Sequence, residues 1–322
     1  MARQLVTVLT TLILCASIHS AAVGQTTTRV GPERRVLNGH RFLPASDLPD
    51  AFVNTFVRSS VGAGSAVNLR VAVEDLDGNV VDTLDGSIAF LVLDYEYQQA
   101  VNRWLALRAN VAGGARLGTD LQAMLFQGVT GLVGAGLGTT VRILEREKVY
   151  LAAVGDVVWN KGYFVTPLDW VRDVIDNGLG SDSSSLVANA SSMVASGGAR
   201  LAYSPHRAVG FTALAEFGVT EPFREDVGKT RGLARFGGTI GYDFGATTPL
   251  PIGLLGGFRW ENFSSGADDV ADRAWRSFLG ISYTGRADFN VGVEMSFARL
   301  TQRDSSQNID SGQVRVALRY YF

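Results

Sequence analysis

From Ala51 onward, apolar and polar side chains alternate with a period of two, segment after segment. That period puts neighbouring side chains on opposite faces of an extended strand. Segments 51–65, 87–98, 102–116, 129–144, 147–160, 192–203, 207–220, 230–245, 251–262, 273–284, 287–300 and 310–322 carry it, which predicts twelve strands. In the last of them Val314, Val316, Leu318, Tyr320 and Phe322 share one face, opposite Gln313, Arg315, Arg319 and Tyr321. In 287–300, Phe289, Val291, Val293, Met295 and Phe297 oppose Asn290, Gly292, Glu294 and Ser296.

The charges sharpen this pattern. In the central stretches they keep to the polar parity: Arg58, Asp94, Glu96, Arg108, Arg142, Asp156, Arg200, Glu216, Arg235, Asp243, Arg259, Glu261, Arg276, Glu294, Arg315 and Arg319. Basic and acidic members nearly balance. A soluble sandwich also alternates, but its charges face bulk water. In a transmembrane barrel the apolar parity faces lipid and the polar parity faces the lumen. A closed sheet also pairs every backbone group where no water can. Connection lengths agree: 66–86, 117–128 and 161–191 are long, 221–229, 263–272 and 301–309 intermediate, and those between them brief. The expectation is an all-β, antiparallel transmembrane β-barrel of about twelve strands, with ten or fourteen as alternatives and both termini on the short-turn, periplasmic side. Aromatic residues near segment ends (Tyr95, Tyr97, Trp159, Trp260, Tyr283, Tyr320 and Phe322) suit interfacial girdles, although a core position suits any one of them equally.

The N-terminus reads differently. Residues 1–24 have the grammar of a secretory signal: Arg3, an apolar run from Leu5 to Cys15, then small residues at Ser20, Ala21, Ala22 and Gly24. Cys15 is the only cysteine and leaves with that segment, so thiolate metal sites and cysteine nucleophiles are excluded from the mature chain. Residues 25–50 are polar and irregular, broken by Pro32, Pro44 and Pro49. They form a periplasmic N-terminal segment ahead of a barrel domain at 51–322. Whether that segment is a tail, a plug or a recruitment motif stays open.

Composition sets the outer limits. With 46% hydrophobic residues the chain has ample surface to bury, which excludes disorder. A net charge of −2 provides no basic field for nucleic acid. After the signal no apolar run approaches the ~18 residues of a membrane-spanning helix. The glycine string from Gly131 to Gly138 continues the strand alternation and reads as close-packed barrel wall, not as a phosphate cradle.

The C-terminal stretch Val314-Arg315-Val316-Ala317-Leu318-Arg319-Tyr320-Tyr321-Phe322 resembles the terminal strand signal of Gram-negative outer-membrane β-barrel proteins, a final Phe preceded by alternating apolar or aromatic residues. The resemblance implies location in the outer membrane and recognition by the barrel assembly machinery. It spans under ten residues, recurs across many functions, and implies no activity.

Candidate chemistry is sparse. His19 lies in the signal, His40 in the N-terminal segment and His206 in a short turn beside Pro205. The outer-membrane phospholipase and omptin families place a histidine beside Ser or Asp near the outer rim, and no histidine here falls there. The expectation is therefore no enzyme. Balanced Arg partners make the lumen carboxylates a packed charge network. No cofactor and no metal site are expected: the Asp75–Asn79 run with Asp82, and the acidic cluster Asp268, Asp269 and Asp272, read as turn and solvated loop.

Two long connections carry apolar stripes. Thr166 and Pro167 can open a short outer-loop helix that Asn177-Gly178 ends, presenting Trp170, Val171, Val174 and Ile175. Asp120 can cap a turn carrying Leu121, Met124, Leu125 and Phe126. Such stripes need a partner: each other, the outer lipid leaflet, or a hydrophobic ligand, as in the long-chain fatty-acid channel family.

The leading expectation is a narrow channel or transporter for small molecules, with Arg58, Arg108, Arg142, Asp156, Arg200, Glu216, Arg235, Arg259 and Glu294 lining the lumen and Trp170, Val174, Leu125 and Phe126 as loop contacts. The alternative is a non-conducting structural or surface-interaction barrel with ligand-binding outer loops. Expected partners are outer-membrane lipid, the barrel assembly machinery and a small-molecule ligand, with no nucleic acid.

Overall fold

The computed structural model describes residues 35–74, 80–119, 129–165, 187–221, 230–264, 271–302 and 308–322. A two-stranded hairpin, β1 (Val36–Leu37) and β2 (His40–Arg41), turns through Asn38 and Gly39, both at positive φ. Twelve long strands follow: β3 (Phe56–Glu74), β4 (Val80–Ala100), β5 (Leu105–Gly118), β6 (Val129–Glu145), β7 (Val149–Val165), β8 (Val187–His206), β9 (Val209–Thr220), β10 (Arg231–Asp243), β11 (Ile252–Phe263), β12 (Ala271–Tyr283), β13 (Phe289–Gln302) and β14 (Asn308–Tyr321). Each pairs antiparallel with its neighbours in sequence, and β14 pairs with β3 from Tyr321↔Phe56 to Asp310↔Val67, which closes the barrel.

The burial pattern is inverted relative to a soluble protein. Leu279 is 72% exposed, and Leu137, Phe217, Phe297 and Val111 also stand on the outer face. Arg200 and Glu216, each 1% exposed, point inward. An outward apolar band around a charged interior is what lipid on the outside requires. Tyr97, Trp104, Tyr203, Tyr242 and Tyr320 are exposed towards the short-turn end, and Trp159, Phe217, Trp275 and Phe297 nearer the other end, an arrangement of two aromatic girdles.

The structure moves several boundaries. The first strand begins at Phe56, not at 51. Ala51, Phe52, Val53, Asn54 and Thr55 are buried and unpaired in the sheet. The expected connection 66–86 is mostly strand, because β3 and β4 stay paired out to Glu74↔Val80 through two register shifts, with Asn68 at φ 63° in the first of them. Clear of lipid neither face must be apolar, so backbone pairing continues where the sequence alternation fades. β7 and β8 likewise narrow 161–191 to 166–186. The alternation of connection lengths survives for 119–128, 166–186 and 221–230 but not for 75–79, 264–270 and 303–307, which are shorter than the opposite-end connection 244–251. The outer-loop helix expected at 167–176 and the turn at 120–126 lie outside the described residues. Among the described residues the helical element is one 3-10 turn, Phe244–Ala246, where the Asp243 carboxylate accepts from Gly245 N.

Candidate functional site

The inward parity of the strands builds a belt of alternating charge around the lumen. Arg58 on β3 meets Glu96 on β4 at 2.9 Å, and Glu96 lies 3.6 Å from Arg108 on β5. Arg108 pairs with Asp156 on β7, which reaches Arg200 on β8 at 3.1 Å. Arg200 holds Glu216 on β9 at 2.8 Å, Glu216 takes Arg235 on β10 at 2.9 Å, and Arg235 reaches Glu261 on β11 at 2.6 Å. Glu261 also pairs with Arg259 on its own strand.

Register explains how the chain crosses β6 without a charge there. Arg108, Gly138 and Asp156 stand directly opposite one another on β5, β6 and β7. A Cβ on Gly138 would collide with the Asp156 carboxylate and press on the Arg108 guanidinium. Glycine at 138 therefore clears the floor over which the two side chains meet. Gly134 and Gly136 do the same beneath Asn160 and Asn110, which is the close-packed wall expected for this string.

Residues 35–55 fill the space inside the belt. Their partners are inward side chains on strands all around the barrel, which only a segment within the lumen can touch. Phe42 packs on Phe52 and Phe52 on the Tyr150 ring, with centroids 5.1 and 4.8 Å apart. Leu43, Ala45 and Leu48 bury against Leu214, Leu255 and Phe278. Burying each large apolar side chain contributes roughly 1.5–3 kcal/mol. Gln98 donates to the carbonyls of Phe52 and Asn54, and the Tyr150 hydroxyl accepts from Val53 N at 3.0 Å. Arg35 donates to the Tyr321 hydroxyl at 3.2 Å and lies 4.0 Å above its ring.

The segment also completes the belt. Asp47 accepts from Arg276 on β12 at 2.6 Å and stands 3.7 Å from Arg315 on β14. Asp50 accepts from Arg319 at 3.0 Å. Glu294 on β13 accepts from Ser46 N at 3.0 Å, and it lines a small cavity with Pro44, Ala45, Arg58 and Arg319. Burial would raise the Asp47 carboxyl, but the guanidiniums of Arg276, Arg315 and Arg259 outweigh it and hold Asp47 below the usual carboxylate range. His40 goes the other way: burial lowers it, against smaller opposing effects from the Arg207 backbone and Asp243.

Of the expected lumen residues, Arg58, Arg108, Asp156, Arg200, Glu216, Arg235 and Arg259 meet in the belt, and Glu294 contacts the segment. Arg142 stands apart, paired with Glu145 beside the β6–β7 turn. Trp170, Val174, Leu125 and Phe126 lie outside the described residues. Sequence reasoning placed Glu96, Glu261, Arg276, Arg315 and Arg319 on the inward parity without singling them out. It passed over Asp47 and Asp50, whose partners lie more than 200 residues away in the chain. His206 accepts from Ala208 N within the β8–β9 turn.

No protein-family model matches the chain, and no curated protein matches it in sequence. The structure is similar to the translocator domain of the autotransporter NalP from Neisseria meningitidis (TM-score 0.50, 11% identity, covering 84% of this chain and 89% of that one). It is also similar to a Pseudomonas aeruginosa FadL homologue (TM-score 0.51, 10% identity, covering 92% and 99%). At such identities the likeness is one of fold: this chain shares the closed antiparallel barrel of outer-membrane β-barrel proteins.

Proposed function

We propose that the chain is an outer-membrane β-barrel carrying small molecules along a narrow lumen path, closed at rest by residues 35–55. The observation behind this reading is the lumen itself: a ring of paired charges around a segment that is not part of the barrel sheet. A barrel needing only rigidity can fill a twelve-strand bore with its own wall side chains. Here a piece of chain outside the barrel wall does much of the filling, held by hydrogen bonds, ion pairs and two apolar clusters and not by pairing with the barrel sheet. In this reading residues 1–24 are the signal, the outward band meets outer-membrane lipid, and the β14 strand ending in Phe322 is the element offered to the barrel assembly machinery.

The test is planar-bilayer conductance of the chain from Gln25, refolded, against a Phe42→Ala/Phe52→Ala variant. We expect rare, brief openings in the first and sustained steps in the second, because the substitutions remove the aromatic stack that docks the segment. A second reading, a non-conducting structural or surface-interaction barrel, is favoured by the near-complete charge pairing of the belt. Silence from both proteins would select it.

A further inference from the structure

Two places in the belt set arginine directly opposite arginine. Arg259 faces Arg276 between β11 and β12, and Arg319 faces Arg58 across the β14–β3 seam. Like charges at directly opposed positions in a sheet destabilise it, and a water-poor interior strengthens the repulsion. The wall offers only a partial remedy. The strands bring eight arginines to the belt (Arg58, Arg108, Arg200, Arg235, Arg259, Arg276, Arg315, Arg319) and six carboxylates (Asp94, Glu96, Asp156, Glu216, Glu261, Glu294).

The N-terminal segment supplies what is missing, and it does so at those two pairs. At the first, the Asp47 carboxylate accepts from Arg276 at 2.6 Å and the Asp47 carbonyl accepts from Arg259 at 3.0 Å. At the second, the Asp50 carboxylate accepts from Arg319 at 3.0 Å and the Ser46 carbonyl accepts from Arg58 at 3.3 Å. Two carboxylates from the segment make the charges even.

We propose that the two arginine pairs are binding sites for small organic anions bearing carboxylate or phosphate groups, and that Asp47 and Asp50 are built-in stand-ins occupying those sites in the closed state. The proposal deepens the channel reading and rests on it for the route of entry. The chemistry fits: a guanidinium fork matches a carboxylate or phosphate with two parallel hydrogen bonds. The aspartates stand three positions apart in the chain, so the two sites take anionic groups up to roughly 10 Å apart. Release of the segment takes the carboxylate partners from Arg276 and Arg319, while Arg259 keeps Glu261 and Arg58 keeps Glu96, and an arriving anion restores the balance.

The probes are citrate and inorganic phosphate, binding to the refolded chain followed by calorimetry and ion preference by reversal potential in a salt gradient. In Asp47→Asn/Asp50→Asn the stand-ins lose their charge. We expect citrate to bind this variant at least about tenfold more tightly than the native chain, since the charge-assisted hydrogen bonds of the two aspartates no longer compete. The variant's current should prefer anions. Adding Arg276→Gln and Arg319→Gln should abolish both effects. Heat-modifiable migration reports that each barrel is folded; where the double variant does not fold, Asp47→Asn with and without Arg276→Gln tests the first site alone. Equal citrate affinity in native and Asn variants, or indifference to the arginine substitutions, overturns the proposal. Citrate binding without any conductance upholds the sites and removes the channel reading. Conductance with no anion preference and no citrate binding does the reverse.

Discussion

Gly138 shows how one residue type can set a contact between two others. Neighbouring strands lie about 4.8 Å apart, so Arg108 and Asp156, separated by β6, must reach across nearly 10 Å of sheet. They meet because the intervening position has no side chain. Gly138→Val should therefore part the pair and leave Arg108 and Asp156 with weaker partners in the wall. Breaking a buried ion pair costs about 3–5 kcal/mol when one member is left unpaired. Glu96 and Arg200 remain within reach of the separated partners, so we expect a smaller loss, about 1–3 kcal/mol. Urea unfolding in lipid vesicles measures it. A midpoint unchanged from the native protein would mean that the pair contributes nothing to holding β5, β6 and β7 in place. The belt itself is better regarded as a specifier of arrangement than as a reservoir of stability, because desolvation offsets much of the attraction between buried charges.

At the scale of elements, the docked segment has a titratable weak point. His40 on β2 is fully buried, its ring edge-on to Phe42 and its imidazole against Gly210. Burial lowers it from 6.5 and outweighs the Arg207 backbone and Asp243, which favour its charged form. The released segment takes up a proton near pH 6.5 that the docked one refuses. Docking is thus at full strength above that value and weakens as pH falls through it towards the lowered one. Limited proteolysis of the segment should accordingly quicken between pH 7.5 and 5.5, and His40→Phe should flatten that dependence. The same pH dependence in His40→Phe would assign it to another group. The contrast between elements also explains what could be read in advance. Each wall strand announces itself through local alternation, since one face meets lipid and the other the lumen. The segment's buried residues, Leu37, Phe42, Leu43, Leu48, Phe52 and Val53, follow neither a period of two nor one of 3.6. Their surroundings come from strands distant in sequence, so proline breaks and polar composition were all that showed. Asp47 and Asp50 were invisible for the same reason, whereas parity alone had already turned Arg276, Arg315 and Arg319 inward.

For the molecule as a whole, the decisive physical question is which solvent the outer face meets. Leu279 is the sharpest probe. It is 72% exposed and stands midway along β12 between Trp275 and Tyr283, four residues from each. Those aromatics mark the two girdles on that strand, so Leu279 lies near mid-height of the apolar band. Ile143, also exposed on the outer face, lies close to the end of β6. In water the two sites are equivalent, and arginine at either would change stability little. In a bilayer they differ: arginine at the midplane costs about 2–4 kcal/mol, against about 0–1 near the interface. Unfolding of Leu279→Arg and Ile143→Arg in vesicles should therefore separate by about 2 kcal/mol or more, with Leu279→Arg the weaker protein. Equal stabilities would place the outer face in water, and the exposed apolar residues would then have to be covered by protein. The same comparison bears on the lumen. A wall whose outer face is committed to lipid must keep its charges inside, and eight inward arginines against six carboxylates leave that interior in need of anions. The N-terminal segment meets the need by lending two, so the band outside and the closure inside follow from one partition of side chains between the two faces of the sheet.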